Sequence, residues 1–269
     1  MVNFTTKPHY TAQDLAHIVA LLRQPEGGCP WDIEQTHSSI RNNFIEETYE
    51  AVDAIDQGDA HLLEEELGDV LLQVMLHCQM EAEAGRFDFD AVCDGICKKL
   101  IYRHPHVFGD TVAATTGEVL NNWEALKNKE KGRETAKDRL ESVPAAFPAL
   151  MRAAKVQKRA APYGFAYPDV AAALADLESE VAELRAALQD PGEARAEAGD
   201  VLFAAANVSR MLGAEPEEAL SGATGRFQGR VIACEEMAAA QGKALPELDA
   251  AALDACWKQA KLNEQSSKA

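Results

Sequence analysis

The 269-residue chain is short of positive charge: 26 Lys and Arg stand against 44 Asp and Glu, a formal net charge of −18. A nucleic-acid phosphate backbone has little on such a surface against which to release counterions, so no nucleic-acid partner is expected, and neither is docking on an anionic membrane. Met1 to Gln13 has no apolar segment of the secretory type, and no run approaches the roughly 18 apolar residues of a membrane span. The expectation is a soluble cytoplasmic protein. The six cysteines are scattered with no Cys-x-x-Cys pair, which argues against a structural zinc site. Cys93 and Cys97, one helical turn apart, are expected to be buried thiols of one helix face. A Walker-type glycine-rich loop is missing, as are Ser-His-Asp and Cys-His constellations, so neither a phosphate loop nor a side-chain nucleophile announces itself. Alternation of apolar and polar residues is never long enough for a convincing strand.

What the chain does contain is helix formers, with 47% hydrophobic residues, enough for one large core or two ordinary ones. The fold class is all-α. Phe44, Val52 and Ile55 recur at helical spacing between Ile40 and Asp56; Gly58 and Asp59 break the run, and a second extends from Leu62 to Ala84 before Gly85. This predicts an antiparallel αα-hairpin, with a third helix from Asp88 to Tyr102 ending before a His104-Pro105-His106 turn. His104 and His106 are read as a capped helix end, since no cysteine nearby completes a metal site. The organisation expected is an N-terminal repeat over 1–110, a linker over 111–145 with one short helix near Val119 to Lys129, and a C-terminal repeat over 146–269.

The two repeats are visible in the sequence itself. Glu47-x-x-Glu50 is followed, after 15 residues, by Glu66-x-x-Asp69; Glu180-x-x-Glu183 is followed, after 13, by Glu197-x-x-Asp200. Gly28-Cys29-Pro30-Trp31 precedes the first set as Gly164-Phe165-Ala166-Tyr167 precedes the second, and Lys99 and Arg103 correspond to Arg226 and Arg230. Residues i and i+3 share a helix face, so a hairpin can gather four carboxylates in each half. Such carboxylates repel unless some are protonated or a divalent cation lies among them, and an all-oxygen set favours Mg²⁺ or Mn²⁺ over zinc. A solvated acidic face is the plainer reading of one such pair; apolar neighbours around Asp69 and Asp200, and the duplication, count against it. Glu34-x-x-His37 occurs once, whereas a di-iron carboxylate bundle needs two such motifs.

These motifs, with Gly85-Arg86-Phe87-Asp88-Phe89, Arg103-His104-Pro105-His106-Val107-Phe108-Gly109 and the Trp257-x-x-x-Lys261 close, make nearly the whole chain resemble the MazG nucleoside triphosphate pyrophosphohydrolases. The resemblance implies tandem all-α MazG repeats, a Mg²⁺ requirement, a homodimer that completes the helix bundles, and hydrolysis of NTP or dNTP to the monophosphate and pyrophosphate. On that reading Glu47 or Glu180 activates water, and Glu47, Glu50, Glu66 and Asp69, or Glu180, Glu183, Glu197 and Asp200, hold metal. Lys99 with Arg103, Arg226 with Arg230, and Lys261 beside Trp257 would receive the pyrophosphate. Trp31 and Tyr167 either stack on the base or fill the hairpin entrance. The second repeat departs from the family pattern in opening with Ser179-Glu180 where the first has Glu46-Glu47, and in carrying Asp176 and Glu193 where basic residues are expected. Two other readings stay open: a narrower dUTPase-like or phosphoribosyl-ATP-type pyrophosphatase, and a helical dimerisation or regulatory module whose acidic groove binds a basic partner.

Overall fold

The computed structural model describes residues 4–111 and 115–266, the side chains of 121 and 266 excepted. Among these residues every regular element is helical. The chain divides into two compact units, Met1–Leu126 and Lys127–Ala269.

The first unit is built on a hairpin of α3 (Arg41–Gln57) and α4 (Ala60–Glu83). The turn between them needs Gly58, whose backbone is left-handed (φ 68°), and Asp59, whose carboxylate accepts from the amides of His61 and Leu62 to start α4. Helix α1 (Ala12–Arg23), opened by a Thr11–Asp14 capping box, lies along α4. Val19, Ile40, Met75, Leu76 and Met80 form the core there. Short α2 (Pro30–Glu34) is followed by the segment that leads into the hairpin. Its position is set by Arg23, a buried side chain that donates to the carbonyls of Asp32 and Gln35 while pairing with Glu83 (2.8 Å). Helix α5 (Phe89–Arg103) packs on α4 and ends where expected: His104 Nδ1 lies 2.7 Å from the Leu100 carbonyl and closes it. Residues 105–108 form a one-turn helix, α6 (Pro105–Phe108), with proline in its first turn. On α5, Cys93 is half-buried and Cys97 exposed, so the expected pair of buried thiols is corrected: the two share a helix, but Cys97 lies on its solvent side.

The segment expected to be a linker is more helical than its composition implied. It carries α7 (Thr116–Glu130), inside which the division between the units falls, and α8 (Ala136–Glu141), which packs on α9 (Ala149–Ala160). Arg159 of α9 donates to the Arg139 carbonyl and to Ser142, and Arg139 lies over the Tyr163 ring (5.7 Å). The second unit then repeats the hairpin as α10 (Val170–Ala187) and α11 (Pro191–Met211), with Asp190 capping α11 ahead of a first-turn proline. Helices α12 (Pro216–Ala239) and α13 (Ala250–Ser266) pack together around Cys234, Ala238, Leu248, Cys256 and Ala260.

Candidate metal centres and substrate groove

Each hairpin brings its carboxylates together. In the first unit Glu47, Glu66 and Asp69 each offer an oxygen within 4.8 Å of the others. Glu50, one turn after Glu47, joins them through a hydrogen bond to Glu47. Burial, then the charges of Asp69 and Glu50, push the Glu47 carboxyl above its ordinary range; burial, then the charges of Glu50 and Asp69, do the same to Glu66. In the second unit the set is Glu180, Glu183 and Glu197, again within 4.8 Å of one another. Burial first, then Glu183, Asp176, Asp200 and Glu197, raise Glu180. Asp200 is therefore electrostatically part of the second site, outside its closest trio.

Burial first, and mutual repulsion after it, raise carboxyls in both hairpins, and no basic side chain is among the causes that would offset this. Carboxylate oxygens at this spacing, with no nitrogen or sulfur donor among them, fit a hard divalent cation of the Mg²⁺ or Mn²⁺ kind.

The residues expected to handle substrate are distributed unevenly. Tyr167 stands beside the second set: its hydroxyl donates to Asp176, and that bond, burial and the nearby Glu180 charge push it up to about 12. Asp176 thus has a partner in the aromatic residue at the hairpin entrance, where the first repeat has Asn43. Trp31, at the corresponding place in the first unit, is 57% exposed. Arg226 and Lys261 are exposed, while Arg230 pairs with Glu264 (2.8 Å) and lies over the Trp257 ring (5.6 Å). Arg103 is buried and lies over Trp123 (5.4 Å), and Lys99 is half-buried on the same helix.

The Arg103–Trp123 contact is the counterpart of Arg230–Trp257, and Trp123 was not among the expected site residues. Its signal was present, since Trp123-x-x-x-Lys127 and Trp257-x-x-x-Lys261 lie 134 residues apart. The neighbouring charge run concealed it. Also absent from the sequence reading was a polar cluster on α4, where His77 meets His37 (2.7 Å), His37 meets Glu81 (2.6 Å), and Arg86 pairs with Glu81.

The sequence has relatives among known proteins. Residues 35–108 match the MazG nucleotide pyrophosphohydrolase domain. The chain is 41% identical over 254 residues to the nucleoside triphosphate pyrophosphohydrolase of Escherichia coli K12, covering 93% of this chain and 97% of that protein. It is 40% identical to the nucleoside triphosphate pyrophosphohydrolase/pyrophosphatase MazG of Thermotoga maritima, covering 94% and 97%. A Bacillus subtilis protein, YabN, is 43% identical over 93% of this chain, which spans 51% of its own length. A helical chain with two acidic hairpins, alignable with such proteins over more than nine-tenths of its length, belongs to the MazG nucleotide pyrophosphohydrolase family. It is a hydrolase of that family. No helix among the described residues is long and apolar enough to cross a membrane.

Proposed function

We propose that the protein hydrolyses nucleoside triphosphates, ribo- or deoxyribo-, to the monophosphate and pyrophosphate in a Mg²⁺-dependent reaction that serves the upkeep of the cytoplasmic nucleotide pool. The observation that carries this reading is the pair of all-oxygen carboxylate sets in a chain that aligns with named nucleoside triphosphate pyrophosphohydrolases over nearly its whole length. Glu180, Glu183, Glu197 and Asp200 would hold the cation in the second repeat, and Glu47, Glu50, Glu66 and Asp69 in the first. When bound, the cation neutralises phosphate oxygens.

Glu180, or Glu47 in the first repeat, takes a proton from the water that attacks the α-phosphorus. The raised carboxyl of each is closer to the matched basicity that proton transfer favours. The bond to the bridging oxygen breaks and pyrophosphate leaves with its charge, which Arg226 and Lys261 receive; Arg230, steadied by Glu264 and Trp257, orients them. We assign turnover to the second repeat, where Tyr167 adjoins the carboxylates directly. The protein acts as a homodimer without nucleic-acid partners: Phe44, Tyr49, Val52 and Ile55 leave an apolar stripe of α3 exposed, and a second copy would cover it.

Paired substitutions test the reading. Asp200→Asn should abolish pyrophosphate release and Asp69→Asn should leave most of it; the reverse pattern moves turnover to the first repeat. Full activity in the double variant, or a nucleoside diphosphate as main product, overturns the proposal. Light scattering at micromolar concentration checks the dimer, and an active monomer rejects it.

A further inference from the structure

Between α2 and α3 runs a strap, residues 35–40, that belongs to neither helix. Inside it the Thr36 amide donates to the Ser39 hydroxyl (2.9 Å), Ser39 donates to the Gln35 side chain (2.7 Å), and the Ile40 amide donates to the Thr36 carbonyl (3.3 Å). Gln35 in turn donates to the Trp31 carbonyl (2.8 Å), so α2 and the strap form one hydrogen-bonded piece. Three attachments hold that piece down. Arg23 of α1 grips its backbone at Asp32 and Gln35, Ile40 enters the core, and His37 reaches His77 and Glu81 on α4.

The His37 attachment depends on one proton shared between two rings. Arg86 and His37 hold the Glu81 carboxyl down to about 2, so Glu81 is an anion that can only accept, and His37 Nε2 carries a proton. In neutral His37 the Nδ1 atom is then a bare acceptor, and the proton in the Nδ1–Nδ1 contact (2.7 Å) belongs to His77. A first added proton is accommodated: it charges His37 beside Glu81, and His77 becomes the acceptor with its own proton on Nε2. A second is not. It sets two N–H groups against each other between two cations, and the contact breaks.

The charges acting on the pair are those of Glu81 on α4 and of Arg86 just beyond it. From α3 comes the uncharged Phe44 ring (5.7 Å), and from α1 comes Arg23, committed to Glu83 and the two carbonyls. Glu81 offsets one imidazolium, and Arg86 already shares it. The second repeat is attached differently. Val208 and Leu212 stand where α4 has His77 and Glu81, and residues 170–173, which correspond to His37, are Val-Ala-Ala-Ala. Apolar side chains do not respond to protons between pH 5 and 8, whereas paired imidazoles do.

We infer that this strap is an acid-released latch confined to the first repeat: double protonation of His37 and His77 lifts residues 36–39 off α4 and leaves Arg23 to hold the helix that carries Trp31, while the α3–α4 hairpin stays folded. The hairpin is retained by Ile40, Met75, Leu76 and Met80 packed with Val19, a core without an ionisable group. Burial and the His37 charge lower His77, which keeps the latch shut at neutral pH. The inference is independent of which repeat turns over substrate.

Hydrogen exchange of the full chain at pH 7.5 and pH 5.0, corrected for the intrinsic rate at each pH, tests it. The amides of Thr36, Ser39 and Ile40 are bonded within the strap and report its opening. Their protection should fall about tenfold or more at pH 5.0, while the α4 core and residues 164–170 of the second unit change little. His77→Gln, whose side-chain oxygen accepts from a charged His37 in place of the ring, should keep the strap protected at both pH values. His77→Leu, which neither accepts nor titrates, should lose strap protection at both. Unchanged strap protection in wild type at pH 5.0, a loss shared evenly by α1, α4 and the strap, or a pH response surviving in folded His77→Gln overturns the inference. The wild-type comparison of the two repeats decides it if a variant does not fold.

Discussion

His37 and His77 share a hydrogen bond between like atoms, Nδ1 to Nδ1 at 2.7 Å. Their rings are inclined by only 8° with centroids 5.0 Å apart, so the separation is taken up by the N–N contact and the two ring radii: the imidazoles lie edge to edge and nearly coplanar. One proton occupies the contact. With Glu81 on His37 Nε2 and Arg86 on Glu81, the chain runs from a guanidinium to His77, with the Phe44 ring alongside (5.7 Å). Arg86 and His37 hold the Glu81 carboxyl down to about 2, and burial followed by the His37 charge lowers His77.

The first prediction follows from that contact. A histidine whose folded pKa is lowered binds fewer protons than the unfolded chain does, so stability rises with pH. Its contribution is full above the unfolded value of 6.5 and is lost as pH falls toward the lower folded value. A second proton also breaks the Nδ1–Nδ1 bond. Thermal unfolding from pH 8 to pH 5 should show a falling Tm that His77→Gln flattens; an equally steep fall in the variant refutes the assignment.

Arg23 should be the costliest single charge to remove in the first unit. It is buried, pairs with Glu83 and holds two carbonyls around α2. Arg23→Met leaves those acceptors and the Glu83 charge without their partner, at about 2–4 kcal/mol. Urea unfolding measures the loss, and a change under about 0.5 kcal/mol contradicts the role.

Glu180→Gln should have opposite effects with and without metal. Without it, the variant loses one of several mutually repelling carboxylates, so its Tm rises. With millimolar Mg²⁺, wild type gains stability by mass action and the variant gains little. In the apo protein Glu180 should oppose the His77 trend: a carboxyl raised in the fold contributes fully below its unfolded value of 4.5, and that contribution is lost as pH rises through the folded value, so Glu180→Gln should steepen the fall in Tm toward low pH. Paralogous behaviour is expected of Glu47→Gln. Equal Mg²⁺ shifts in wild type and both variants would mean that neither hairpin holds the cation.

The two arginine–tryptophan contacts should be energetically alike. Trp123→Leu and Trp257→Leu each remove a guanidinium–ring contact with its packing, and double-mutant cycles with Arg103 and Arg230 should return coupling of about 0.5–2 kcal/mol apiece. Coupling in one repeat alone would show that the equivalence is geometric only.

Local chemistry made much of this protein legible before its fold was known. Helical period, Gly58 with Asp59, and the spacing of Glu47, Glu50, Glu66 and Asp69 act within one or two turns of chain, so the hairpins and their acidic faces follow from the sequence, and the duplication identified the second set. Tertiary packing decided the remainder. Whether Trp123 meets Arg103, whether the linker folds into helices, and whether Cys97 faces solvent depend on which surfaces of separate helices meet. The contact of His37 with His77 crosses 40 residues, and the bond from Gln157 to the Phe203 carbonyl crosses 46. Those distances along the chain carry no period or motif: side-chain volume and burial set them, and they become definite only when the helices are packed.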